Sequence, residues 1–186
     1  LNVASNESDP ADNLAGQMLG VAAKPGLTYA PPENSYAFPV KQQTWEVIPP
    51  LLDSMSPLRS SHMRDPLGPE THFANEGFID ELAYALGQDP VAYRLATVTD
   101  ARDKDVLKAA AEKAGWKERT AARKQVKGDI ASGQGMAYAQ RDGTRVAIVA
   151  EVDVNLKTGQ IHAKRFTVAH DCGLVINPQL LTKTIE

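Results

Sequence analysis

The chain has 186 residues, with 20 basic against 23 acidic side chains and a formal charge of −3. At 42% hydrophobic and 23% charged residues, it has the apolar content of a packed domain, not of a disordered chain, and lacks the basic excess of a nucleic-acid binder. Its single cysteine, Cys172, excludes an internal disulfide and any multi-cysteine zinc or iron–sulfur site, and no apolar run reaches the roughly 20 residues a membrane span needs.

Ten of the 12 prolines fall between Pro10 and Pro69, so this stretch is predicted to be loops and short edge strands. Two pieces within it carry strand-like apolar residues: Asn34 to Val40, with Tyr36 and Phe38, and Thr44 to Ile48, with Trp45 and Val47. Pro69 and Glu70 then suit a helix start, and Ala74, Phe78, Leu82 and Ala85 form its expected apolar stripe. Gly87 stops that helix. Asp89 and Pro90 read as the N-cap and first residue of the next, which carries Val91, Tyr93, Arg94 and Leu95. A third helix is predicted over residues 103–114, with Val106, Leu107, Ala110, Ala111 and Ala114 as its stripe and Gly115 as its C-cap.

Beyond a polar linker at 118–129, the period changes from helical to two. Strands are predicted over 134–141, 144–154 and 160–169, joined by a tight Asp142-Gly143 turn and a Lys157-Thr158-Gly159 turn. In the middle strand, Val146, Ile148, Ala150, Val152 and Val154 are the expected buried face. Asp171-Cys172-Gly173 leaves the sheet, and Asn177-Pro178 opens a last helix that reaches the final residue barely formed. The fold class is therefore α+β: proline-rich loops over 1–68, a helical segment over 69–127 and an antiparallel meander over 128–186. A proline-rich start and a helix cut short both suggest an internal portion of a longer protein.

Several residues invite chemistry. His72, Glu76, Asp80 and Tyr84 recur every fourth position, which on a helix aligns an imidazole, two carboxylates and a phenol. The remaining histidines show no ligand-like spacing to them, so a solvated or interdomain polar face is the simpler expectation. His170 and Cys172 lie on one side of an extended strand, where a thiol and its base are conceivable. A lone cysteine is more often a small buried apolar group. Arg59, His62 and Arg64, between Pro57 and Pro66, form either an anion cradle or an exposed basic loop. No Walker motif, nucleophile elbow or HExxH occurs.

Together these segments resemble the molybdopterin-binding large subunit of the xanthine oxidase and aldehyde oxidase family. The resemblance rests on Pro57-Leu58-Arg59-Ser60-Ser61, on Glu76-Gly77-Phe78-Ile79-Asp80-Glu81 with its E-x-x-x-D-E pattern, and on Asp89-Pro90-Val91-Ala92-Tyr93-Arg94. It continues through the helix from Leu107 to Trp116, Gly133-Gln134-Gly135, and Asp171-Cys172-Gly173-Leu174-Val175-Ile176-Asn177-Pro178. It runs in unbroken order over about residues 34–186 and is similar above all to the isoquinoline 1-oxidoreductase beta-subunit type, also described as aldehyde-oxidising.

The resemblance implies a parent protein that oxidises a small aldehyde or hydroxylates an N-heterocycle, with water as the oxygen source. It implies a molybdopterin cofactor carrying molybdenum, and electrons leaving to an iron–sulfur subunit or domain. On the same ground Leu58, Arg59 and Ser60 are the expected cofactor contacts, although xanthine oxidase has R-G-F-G after the arginine and this chain has Ser60-Ser61-His62-Met63. The family's catalytic glutamate sits in a G-x-G-E motif expected beyond Glu186. The isolated chain is therefore expected to have no catalytic residue, no metal ligand and no bound cofactor of its own. Asp171 to Pro178 is expected to be an architectural corner. The compartment stays open between bacterial cytoplasm and periplasm. Two other readings remain: a non-catalytic scaffold for an iron–sulfur protein, and a small hydrolase using His170 and Cys172.

Overall fold

The computed structural model describes residues 18–20, 35–42, 44, 68–120 and 125–186. The chain divides into two units, Leu1–Glu33 with Val40–Ala74 and Asn34–Pro39 with Asn75–Glu186. Of the first unit, the described residues are 18–20, 40–42, 44 and 68–74, the last being the opening turns of helix α1 (Gly68–Ala85).

The second unit is α+β. After α1 come α2 (Pro90–Thr97) and α3 (Ala101–Ala114), then strands β1 (Gln125–Lys127), β2 (Ile130–Arg141), β3 (Thr144–Asn155) and β4 (Ile161–Asp171), and finally α4 (Pro178–Ile185). The four strands pair antiparallel in the order β1-β2-β3-β4, a meander as expected, with β1 an extra short edge inside the predicted linker. At the β2–β3 turn Asp142 and Gly143 both have positive φ, 50° and 82°, as a two-residue turn matched to strand twist requires. Asp89, Gly115 and Asn177 cap their helices where the sequence placed them. The segment with Tyr36 and Phe38 is tied to α2 by a bridge between Tyr36 and Val98. The expected strand with Trp45 and Val47 lies outside the described residues.

Helix α3 packs on β3 and β4. The core joins Ile79 and Ala83 of α1, Val91 and Tyr93 of α2, and Val106, Leu107 and Ala110 of α3 to Met136, Tyr138, Ala147 and Val149 of the sheet. Leu107 is fully buried, a contribution of about 2–3 kcal/mol from area removed from water.

Two expected faces are turned over. On α1 the inward residues are Glu76, Ile79 and Ala83; of the predicted stripe Leu82 packs against the core, whereas Phe78 is 56% exposed. The helix rotates toward the side where Glu76 finds buried partners, because a carboxylate with three donors on hand outranks one phenylalanine. On β3 it is Ala147 and Val149 that lie under α3, while Val146, Ile148, Ala150, Val152 and Val154 are only half-buried. Small side chains let the helix approach, and Arg145 at the same face binds Asp100 and Asp103 at the start of α3. Among the described residues, no helix is long and apolar enough to cross a membrane.

Candidate functional site

The polar array on α1 is only partly the expected solvated edge: Asp80 and Tyr84 are exposed, but Glu76 turns inward. Glu76 is buried, and its carboxylate accepts from Tyr36 Oη at 2.6 Å, Arg94 Nε at 3.0 Å and the Tyr138 backbone N–H at 2.8 Å. Arg94, with no exposed surface, also donates through Nη1 to Asp80 at 2.6 Å and to the Pro90 carbonyl at 3.1 Å, and through Nη2 to the Glu76 carbonyl at 3.2 Å. Each charge thus has its lone pairs or protons answered, which a buried ion pair needs if desolvation is not to win. Burial and the neighbouring Glu76 charge push the Tyr36 phenol well above its ordinary range, so it stays a donor. Its ring meets Tyr138 edge-on, with centroids 6.4 Å apart. Of the array, His72 is half-buried and Tyr84 exposed.

Asp89 is a second hub. Oδ1 caps α2 by accepting from the N–H groups of Val91 and Ala92, both at 2.9 Å. Oδ2 accepts from Trp116 Nε1 at 3.0 Å and the Arg119 N–H at 2.8 Å. The Arg119 guanidinium lies over the Trp116 ring, 4.4 Å from its centroid. So the two motifs that straddle the α1–α2 junction, E-x-x-x-D-E and D-P-x-x-x-R, are brought together as one bonded structure.

The strand-to-helix corner is equally determinate. Asp171 takes Arg102 in a two-pronged pair, both contacts 2.7 Å, and accepts the Gly173 N–H at 2.8 Å. Gly173 has φ 78°, and Asn177 Oδ1 accepts the Leu180 N–H at 3.0 Å. Cys172 is exposed, not a buried apolar group, because the chain has already left the sheet where it stands. The Arg102 bond holds the Asp171 carboxyl well below the usual carboxylate range. Such a depressed carboxyl stabilises the fold above its unfolded value, and that contribution is lost as pH falls through the folded one. Asp171→Asn is therefore expected to flatten the fall of stability with acid below about pH 4. Chemical denaturation across a pH series checks this; an unchanged slope would sink it.

One cleft of about 320 Å³ opens at the C-terminal end of α3, lined by Lys117, Arg119, Ser132, Glu151, Asp153 and Lys164 among others. Most of its charges are matched internally. Arg165 pairs with Glu151, Lys164 lies 3.4 Å from Asp153, and Ser132 Oγ donates to Asp153 at 2.5 Å. Arg165 holds Glu151, and Ser132 holds Asp153, below the ordinary carboxylate range. These charges are held in pairs with one another.

Of the residues singled out from sequence, Leu58, Arg59 and Ser60, with His62 and Arg64, lie outside the described residues. His170 and Cys172 are not hydrogen-bonded to each other: His170 Nδ1 is buried without a partner, and Cys172 faces solvent. What sequence reading missed is Arg94 and Asp89 as hubs. The available signal was an arginine in a short helix whose apolar side was otherwise complete, and the aspartate that caps it.

Residues 142–186 match the family model of a molybdopterin cofactor-binding domain. The chain is 39% identical over 138 residues to the B subunit of nicotinate dehydrogenase from Pseudomonas putida, a match covering 69% of this chain and 12% of that protein. It is 32% identical over 141 residues to the beta subunit of isoquinoline 1-oxidoreductase from Brevundimonas diminuta, covering 73% of this chain and 17% of that one. The chain thus spans less than a fifth of the length of either relative. No solved structure matches it.

A pterin cofactor with a phosphate calls for amide and cation donors. In the matched stretch, Arg145 and Arg165 are committed to Asp100, Asp103 and Glu151. Among the described residues, no group of three or more His, Cys, Asp or Glu is placed to hold a metal ion.

Proposed function

The chain belongs to the xanthine oxidase family of molybdopterin-binding large subunits, and from that premise we propose that it serves as part of a catalytic subunit hydroxylating an N-heteroaromatic ring. The observation that carries this reading is the pair of relatives, whose names specify nicotinate and isoquinoline, two nitrogen heterocycles. A small aldehyde is the second substrate class. The cofactor, when bound, supplies two-electron oxidation with water as the oxygen source, and the electrons pass to an iron–sulfur subunit or domain.

Within that subunit, residues 69–127 are assigned to a first cofactor-binding subdomain and 128–186 to the opening of a second; the family match at 142–186 falls within the latter. Leu58, Arg59 and Ser60 contact the cofactor through backbone amides and the guanidinium. The described residues hold the scaffold: Glu76–Arg94 fixes α1 against α2 and β2, and Asp171–Arg102 fixes the corner after β4. None of the 186 residues forms a G-x-G-E motif, so the catalytic base comes from elsewhere in the subunit and the chain alone is inactive.

The test is molybdenum by mass spectrometry and pterin by fluorescence after oxidation, on a large subunit carrying this chain, produced with its iron–sulfur partner in a molybdate-fed host. Near-stoichiometric metal and pterin are expected there, and neither on the 186-residue chain. A well-folded large subunit with no molybdenum would overturn the proposal in favour of a non-catalytic scaffold.

A further inference from the structure

We draw no further inference here: the strongest candidate, the apolar sheet face of β2, β3 and β4 opposite α3, carries nothing because the chain spans less than a fifth of its relatives' length and nothing in the structure shows what covers that face.

Discussion

Arg94→Leu is expected to lower the free energy of unfolding by about 3–5 kcal/mol, the range for breaking one side of a buried ion pair. The substitution leaves Glu76 with no cation, in a place almost without solvent, and frees Asp80 as well. Tyr36 Oη and the Tyr138 N–H still donate to that carboxylate, but two neutral donors do not replace a guanidinium. Glu76 then takes up a proton or drags water into the core, and either disturbs the contact of α1 with β2. Adding Glu76→Leu should restore only part of the loss, since Tyr36 and Tyr138 would themselves lose an acceptor. Urea denaturation of the parent, the single variant and the double variant gives the comparison. A loss below about 1 kcal/mol for Arg94→Leu would mean that the pair is not buried as described.

Asp89→Ala is the next largest, at about 2–4 kcal/mol, because one carboxylate serves two structures. Losing Oδ1 removes the cap of α2, and losing Oδ2 strands the Trp116 indole N–H and the Arg119 amide. Asp89→Asn should recover much of the cap, since an amide oxygen still accepts, but presents its NH₂ group to one of the two other donors. The chain has two tryptophans, so in a Trp45→Phe background the emission reports on Trp116 alone. A red shift is expected in Asp89→Ala ahead of global unfolding. Emission that stays unshifted, with stability within about 0.5 kcal/mol of the parent, would remove Asp89 from its role as a hub.

What the sequence made legible, it did through local chemistry. Asp89-Pro90, Gly115, Asp142-Gly143 and Asn177-Pro178 each impose a cap or a turn within four residues, and each stands where expected. The direction in which a face points was less legible, because that depends on partners far along the chain. Phe78 looked buried by periodicity, but the burial of Glu76 is decided by Arg94 and Tyr36, which no window around α1 contains. Likewise the more apolar side of β3 is the less buried one among the described residues, since the charges on its other side are taken up by α3 and β4. The family itself was legible from the order of short motifs. The geometry shows what several of them are for: Glu76, Asp80, Asp89 and Arg94 hold helices together, and Asp171 holds a corner.

The Glu76 carboxylate also sets an order of events during synthesis. Its three donors lie 18, 40 and 62 residues away in sequence, on both sides of it. Tyr36 is made before it, Arg94 shortly after, and Tyr138 long after. On a ribosome delivering about 5–20 residues per second, α1 and α2 emerge seconds before β2 can supply its amide. A nascent chain that ends between Arg94 and Tyr138 can offer that carboxylate at most two of its three donors. The last donor of that buried carboxylate therefore arrives only with β2.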